Sequence, residues 1–234
     1  MHATMLTTDA TVSDQPLDRS ALQQFLGSCR ETRSFHRCVF DGEDLEGLDL
    51  NGVEFVGCSF GGTQLRRASL VCTRWRSCRA AGADFELCDL TDAQFQSCDL
   101  NNTLWRRARL SSASFCEVKL TGARFTEATT LGMSLQQSLA VSADLRGISF
   151  RKQMVKGLNL EGADLSGCDF ADAVLMDCNL TDAILKSARF DRADLRGAKL
   201  GGIRVGDLVH TFKGSTISAD QAAGIIAALG VQVV

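Results

Sequence analysis

A five-residue period runs through most of this chain and restricts the folds that it can adopt. Of the 34 positions from Phe35 to Leu200 whose numbers are multiples of five, 30 hold Leu, Phe or Trp. The four exceptions are Ala80, Thr130, Ala140 and Val155. Two positions before each of these sites, 27 of 34 residues are Ala, Cys, Ser, Thr or Val. A small and a large side chain therefore recur together in every repeat.

Neither common secondary structure fits this period. Every fifth residue of an α-helix is rotated by about 500°, and every fifth residue of a flat strand alternates between faces. A chain that turns a corner every five residues instead points each small and each large side chain inward, around an axis that must be packed without voids. We predict an all-β solenoid, a right-handed quadrilateral parallel β-helix. Four repeats per coil give about eight and a half coils, roughly 40 Å long at the usual strand spacing.

The period divides the chain into three parts. Residues 1–32 are predicted to be a mobile N-terminal tail, up to about Arg19, and a short capping helix over Ser20 to Cys29. Residues 33–205 form the β-helix. Residues 206–234 form a capping helix and a dimerisation segment, with Ser218 before the helix and Gly230 after it. An open coil end needs such a cover.

The repeat is irregular between Thr129 and Lys156. Thr130, Ala140 and Val155 occupy large positions, and Met133 and Gln153 occupy small ones. Either a distorted coil or a loop that preserves the phase is expected there.

Most of the ten cysteines follow the repeat phase. Cys38, Cys58, Cys78 and Cys98 are spaced by twenty residues, so they should stack in one column. Zinc needs four ligands that converge on one point, which a linear column does not offer. We interpret these four residues, with Cys88, Cys168 and Cys178, as buried reduced thiols. Cys29, Cys72 and Cys116 fall outside the inward positions and are the more reactive candidates.

Nothing in the sequence predicts catalysis, a metal site or a cofactor. His2, His36 and His210 are scattered and assemble no triad or metal cluster. The glycines suit corners rather than a nucleotide-binding turn, because no strand-to-helix unit surrounds them. We expect a protein that binds a partner and is not an enzyme.

Charge is segregated along the chain although the formal net charge is only −3. The candidate partner-binding acids are Asp41, Glu43, Asp44, Glu46, Asp49 and Glu54 near the start of the coil, and Asp172, Asp177 and Asp182 near its end. Between them, Arg66, Arg67, Arg106 and Arg107 are predicted to share one face, two coils apart. An ordinary solvated surface is the alternative for each patch. The small net charge gives no reason to expect direct nucleic-acid binding.

The repeat of a small residue, a polar residue, Leu or Phe, and two polar residues resembles the pentapeptide-repeat family, from about Arg33 to Val205. The ending ISADQAAGIIAALGVQVV, from Ile217 to Val234, is similar to that of the Qnr-type and MfpA-type members. In that group a Gln-containing helix, followed by Leu-Gly and β-branched residues, caps the rod and forms the dimer. Gln221, Leu229, Gly230 and Val231 match it.

This resemblance implies a function. Members of the group bind DNA gyrase and topoisomerase IV and protect them from fluoroquinolones or natural poisons, by a mechanism described as DNA mimicry. It also implies a homodimer formed by the C-terminal segment, for which the candidates are Gln221, Ile225, Ile226, Leu229 and Val231, with Ile225, Ile226 and Leu229 facing outward.

Two features depart from a simple mimic. Ten Lys and Arg outweigh six Asp and Glu from Gly61 to Phe125, and no projecting loop of the Qnr type breaks the phase. The competing hypothesis is a general protein-interaction scaffold with no topoisomerase role.

A cytoplasmic location is expected. The first twenty residues lack the basic start and apolar run of a signal peptide, and no stretch of eighteen apolar residues follows. We therefore expect no membrane association.

Overall fold

The computed structural model describes residues 10–28, 33–203, 206 and 210–233. They form a parallel β-solenoid of about nine turns with a helix at its C-terminal end, which confirms the predicted fold class. Strands β1 to β7 form one parallel sheet in chain order, and β8 to β10 form a second. The strands are β1 Ala10–Ser13, β2 Arg33–His36, β3 Glu54–Val56, β4 Arg74–Arg76, β5 Gln94–Gln96, β6 Ser114–Cys116, β7 Ser134–Gln136, β8 Met154–Lys156, β9 Val174–Asn179 and β10 Asp194–Lys199. The helices are α1 Arg19–Ser28 and α2 Ala219–Ala228.

One turn of the coil takes twenty residues and has four sides. Side one carries the named strands, and in it Phe35 lies beside Phe55 and Phe55 beside Trp75. Sides two, three and four begin at Phe40, Leu45 and Leu50 and pair through single bridges between residues twenty apart. The five-residue period therefore corresponds to one side of the coil.

The corners are made by the residue two positions after each large residue. From residue 37 to residue 202 these corner residues have φ between +49° and +75°, with Gly197 as the exception. Glycine reaches this left-handed region without steric cost, whereas most other residues pay about 1 kcal/mol or more. Glycine is the most frequent corner residue for this reason, and Ser and Asp occupy several of the other corners.

An Asp or Asn before the large residue supports the corner that follows. Its side chain accepts a hydrogen bond from the backbone N–H two residues later, as Asp89 does from Thr91 at 3.1 Å and Asp164 from Ser166 at 3.0 Å. Asx turns of this kind satisfy a backbone donor that has no partner in the ladder. Part of the acidic content of the chain thus belongs to the fold itself.

Large inward side chains fill the axis. Every residue at the large positions is buried except Thr130, which is half-buried. The aromatic rings stack along side one from Phe35 to Phe115, and along side three from Phe85 to Phe125. Beyond Phe125 the stacked rings lie on side four, from Phe150 to Phe212. Thr130 lies where the aromatic stack changes sides.

The N-terminal end is more ordered than expected. The prediction of a mobile tail up to about Arg19 is wrong for residues 10–18, because β1 pairs with β2 and Pro16 bridges to Val39. Residues 1–9, which include His2, and Cys29 lie outside the described residues. Helix α1 follows β1, and Leu22 from this helix is buried in the core.

The coil also continues past its predicted limit at Val205. Phe212 stacks on Phe190 with ring centroids 4.8 Å apart, and the Leu195 N–H donates to the Thr216 carbonyl at 2.9 Å. These partners are about two residues out of the twenty-residue phase, which is why the sequence pattern ends before them. The last turn is completed by residues after the break in phase.

Candidate functional site

The six N-terminal acids surround the first turn instead of forming one face. Asp41 lies on side two, Asp49 on side four and Glu54 on side one, while the others lie on or beside side three. Most of them have intramolecular partners. Asp41 accepts a hydrogen bond from the Gly61 N–H at 2.6 Å, and Asp49 accepts one from the Asn51 N–H at 3.1 Å.

Three of these acids are also neutralised by arginines. The pairs are Asp44 with Arg19 at 3.7 Å, Glu46 with Arg67 at 2.6 Å, and Glu54 with Arg76 at 3.1 Å. Among the described residues, the side chain of Glu43 has neither an ion pair nor a hydrogen bond. Of the six acids, Asp41, Glu43 and Asp49 therefore form no ion pair with a described residue.

The three C-terminal acids lie at three successive corners. Asp172, Asp177 and Asp182 have φ of 60°, 53° and 56°. Asp172 accepts two hydrogen bonds from Arg192, at 2.6 and 2.9 Å, which lower the pKa of its carboxyl. Asp177 and Asp182 are exposed and form no ion pair with any described residue. Of the three candidates, Asp177 and Asp182 therefore carry negative charge that no described residue neutralises.

The four arginines of the predicted patch, Arg66, Arg67, Arg106 and Arg107, share side three, and each is paired with an acid. Arg66 contacts Asp84 at 2.7 Å, and Arg106 contacts Glu86 at 3.2 Å. Arg67 contacts Glu46, and Arg107 contacts Glu127 at 2.7 Å. The partners come from adjacent turns, so acidic and basic turns alternate along this side. Since each guanidinium faces a carboxylate, the field of the patch is much weaker than four free arginines would give.

The inward cysteines are structural. Each donates its thiol to a backbone carbonyl of the preceding turn, as Cys78 does to Phe55 at 3.3 Å and Cys168 to Leu145 at 3.1 Å. The partner is a large inward residue except for Cys38, which donates to Val12 of β1. Burial raises the pKa of the Cys168 thiol to about 12. A thiolate is therefore scarce at neutral pH, and such thiols are poor nucleophiles and ligands. Cys72 is exposed and Cys116 is half-buried.

Helix α2 closes the C-terminal end through Gln221. The Gln221 side-chain amide donates to the carbonyls of Leu195 and Ala198, both at 2.6 Å, and its Oε1 accepts from the Ser218 N–H at 2.6 Å. Ser218 in turn accepts from the Gln221 N–H, which completes a capping box. The Gln221 side chain is thus used within the protomer.

The outer surface of α2 and the segment after it are apolar. The prediction that Ile225 faces outward is wrong: this residue is 7% exposed because the helix seats it on the last turn. Ile226, Leu229, Val231 and Val233 are exposed. Four neighbouring exposed apolar residues form a surface suited to protein contact.

At one place in the described coil, two successive turns are not joined by backbone pairing on sides one and four. Strands β7 and β8 are not paired, and Thr129 has no bridge to Ser149, although neighbouring turns pair at these positions. Sides two and three remain paired, for example Leu139 with Asn159. Between residues 129 and 156 the chain keeps its five-residue phase, and no loop projects from these residues.

The opening forms a cleft of about 820 Å³. Its lining includes Thr130, Leu131, Gln136, Arg151, Gln153 and Met154. Two glutamine side chains bridge it: Gln136 donates to the Met154 carbonyl at 2.8 Å, and Gln153 donates to the Met133 carbonyl at 3.0 Å. Side-chain amides thus replace part of the missing backbone ladder.

Two of these features were not identified from the sequence. The arginine ion pairs join residues about twenty positions apart in the sequence. They can be predicted only if the twenty-residue coil is assumed first. The cleft had a partial signal in Thr130 and Gln153, but the exposed Leu131 and Met154, at outward positions that are usually polar, were missed.

Within the described part of the chain, no cluster of His, Cys, Asp and Glu has the arrangement of a metal site. Of the described helices, neither is long and apolar enough to cross a membrane.

These features define a rod-shaped repeat protein with charged side chains on its sides and an exposed apolar surface at its C-terminal end. Family comparison agrees: a pentapeptide repeat region matches residues 31–105, and pentapeptide repeats match residues 93–129, 143–182 and 173–204. The chain belongs to the pentapeptide-repeat family. Residues 130–142, which include Thr130, Leu131 and Gln136 of the cleft lining, fall between the matched segments. A comparison with curated proteins finds no match.

Solved structures of similar shape share little sequence. Full-length QnrB1, a plasmid-mediated fluoroquinolone resistance protein, is 20% identical with a TM-score of 0.58, over 95% of this chain and 98% of QnrB1. HetL, a pentapeptide repeat protein involved in heterocyst differentiation regulation from Nostoc sp. strain PCC 7120, is 20% identical with a TM-score of 0.49, over 86% of this chain and 97% of HetL. At these identities the likeness concerns the fold.

Proposed function

We propose that this protein binds DNA gyrase, and topoisomerase IV as well, and protects the enzyme from fluoroquinolones or a natural topoisomerase poison without catalysing a reaction. The observation that supports the proposal most is the end-to-end correspondence with QnrB1, a fluoroquinolone resistance protein. The C-terminal ending adds to it, because α2, Gln221 and the Leu229-Gly230 pair match the cap described for the Qnr-type members.

The charges indicate which parts of the rod could replace DNA. A DNA-binding groove is adapted to regularly spaced negative charge. Of the candidate acids, Asp41, Glu43, Asp49, Asp177 and Asp182 have no ion pair with a described residue, and they lie near the two ends of the coil. Six of the nine arginines from residue 61 to residue 125 are ion-paired, whereas Arg74, Arg79 and Arg124 form no ion pair with a described residue. The middle of the rod therefore opposes such a contact less than its number of arginines implies. We therefore assign the contact to the two ends.

A supercoiling assay tests this function. Purified gyrase is inhibited with a fluoroquinolone, and the full-length protein is titrated in. We expect supercoiling to recover. Asp177→Asn combined with Asp182→Asn should weaken recovery about tenfold or more, since charge is lost while asparagine tolerates the left-handed corner. Asp92→Asn, at the corresponding kind of corner on another turn, is the matched control and should leave recovery unchanged.

The alternative function is a general interaction scaffold. It is favoured by one observation: acids such as Asp49 and Asp89 hydrogen-bond to backbone N–H groups, so the fold alone accounts for part of the acidic pattern. If supercoiling stays inhibited at a large molar excess of protein, with gyrase and with topoisomerase IV, the protective function is wrong for that drug and the scaffold becomes the better hypothesis.

A further inference from the structure

The two edges of the cleft carry unpaired backbone groups whose equivalents elsewhere in the coil are hydrogen-bonded to the neighbouring turn. The N–H groups of Thr130, Gly132, Ser149 and Met154 donate to no acceptor among the described residues. The equivalent N–H groups one turn away are all hydrogen-bonded. In place of Thr130 and Gly132, the N–H groups of Leu110 and Ser112 donate to the carbonyls of Thr129 at 2.7 Å and Leu131 at 2.8 Å. In place of Ser149 and Met154, the N–H groups of Asp169 and Ser134 donate to the carbonyls of Ile148 at 3.1 Å and Ala113 at 3.0 Å. The cleft therefore contains an open strand edge within the coil.

Acceptors are open beside these donors. The carbonyls of Ala128 and Arg151 receive no hydrogen bond from a described residue, whereas those of Ala108 and Leu131, each one turn below, do. These donors and acceptors line two edges that run from side four, across the corners at Gly132 and Lys152, to side one. Unpaired donors and acceptors of this kind are the pairing template of a sheet edge. The natural complement of such an edge is another extended polypeptide.

Side chains around the cleft offer a bound segment apolar contact and positive charge. Leu131 is 81% exposed and Met154 is 63% exposed, and both line the cleft. Lys152 and Lys156 are exposed at the same turn and form no ion pair with a described residue. Apolar side chains in the bound segment would cover Leu131 and Met154, and acidic residues would face the two lysines.

We propose that the cleft binds an extended segment of a partner polypeptide by strand addition, and that this segment carries apolar residues flanked by acidic ones. The backbone of the segment pairs with the N–H groups of Thr130, Gly132, Ser149 and Met154. On binding, Gln136 and Gln153 release the carbonyls of Met154 and Met133 to which they donate. This interaction requires no topoisomerase and goes beyond the protective function.

A synthetic peptide tests the proposal. The probe copies residues 168–177, which form sides four and one of a neighbouring turn and combine apolar with acidic residues, with serine in place of Cys168. Its fluorescein-labelled form is titrated with the full-length protein. We expect saturable binding, and slower amide hydrogen exchange at Thr130, Gly132, Ser149 and Met154. N-methylation of alternate peptide amides should weaken binding about tenfold or more, because it removes pairing donors.

Two variants locate the site. Leu131→Asp should weaken binding about tenfold, whereas Leu139→Asp should leave it unchanged, because Leu139 is an exposed leucine on a side whose ladder is intact. A second peptide, copying residues 226–234, tests whether the C-terminal segment of another copy fills the cleft.

Three results would overturn the proposal. The first is no binding of the probe at millimolar concentration. The second is binding that neither N-methylation nor Leu131→Asp reduces, since it would not involve strand addition at the cleft. The third is binding of the C-terminal peptide alone, which would indicate self-association.

Discussion

At the scale of the residue, the coil depends on how easily each corner residue adopts the left-handed backbone conformation. Asp92, Asn102 and Gly162 suit a left-handed corner, but Leu87 occupies one at φ +61° with its side chain exposed. A branched aliphatic side chain gains no hydrogen bond there and carries the steric cost of the conformation. Such a residue is a local source of strain that packing does not compensate.

Leu87→Asn should therefore stabilise the protein. Asparagine enters the left-handed region at low cost, so the free energy of unfolding should rise by up to about 1 kcal/mol. Urea unfolding followed by circular dichroism measures it. Leu139→Asn is the control, because Leu139 is equally exposed but has no positive φ. Equal effects of the two substitutions would show that backbone conformation at position 87 is not the cause.

The inward residues could be predicted from the sequence because a period of five leaves one arrangement for them, and all the large positions but Thr130 are buried. Ile225 could not be placed in the same way. A helix of small apolar residues has no strongly polar face, so its sequence does not reveal which residue contacts the coil. The contact is decided by the Gln221 hydrogen bonds to the last turn.

At the scale of the element, helix α2 is held on the coil by few polar contacts. Its N-terminus is fixed by the capping box of Ser218 and Gln221, and Ile225 packs on the last turn. The Gln221 amide also satisfies two carbonyls that no further turn of the coil reaches. One side chain thus joins the helix to the solenoid.

Gln221→Ala should weaken this junction. It leaves the carbonyls of Leu195 and Ala198 without that donor and removes half of the capping box, so we expect a loss of about 1–3 kcal/mol. Amide hydrogen exchange in α2 should accelerate before exchange in the middle turns. Gln232→Ala, in the exposed segment after the helix, is the control and should change neither quantity. If exchange in α2 stays as slow as in the native protein, the role assigned to Gln221 is wrong.

The cleft shows the limit of prediction at this scale. Thr130 and Gln153 indicated an irregular turn, but the sequence does not specify whether a ladder opens or a loop leaves the coil. That outcome depends on the combined packing of several turns, where the aromatic stack moves to side four. The ion pairs of side three have a similar origin, because they require the twenty-residue register before any partner can be named.

At the scale of the whole molecule, the rod ends in an apolar surface. Ile226, Leu229, Val231 and Val233 are exposed at the C-terminal end. A repeat solenoid without a polar end cap tends to associate, and a two-fold contact between like ends closes without further growth. We propose a homodimer through this surface.

Ile226→Asp should therefore shift the protein from dimer to monomer. A buried carboxylate at the centre of an apolar contact is strongly unfavourable. Sedimentation velocity over a range of concentrations measures the change. Ile184→Asp, at an exposed isoleucine on side three, is the matched control and should remain dimeric. A native protein that sediments as a monomer at all concentrations would contradict the dimer.

We propose that the same rod presents its acids to a partner. The most direct test of that claim is the equilibrium binding of immobilised full-length protein to purified gyrase holoenzyme, without drug or DNA. The account predicts saturable binding that duplex DNA displaces and that added salt weakens, because the contact uses free carboxylates at both ends of the coil. No binding to gyrase or to topoisomerase IV at low salt would contradict it.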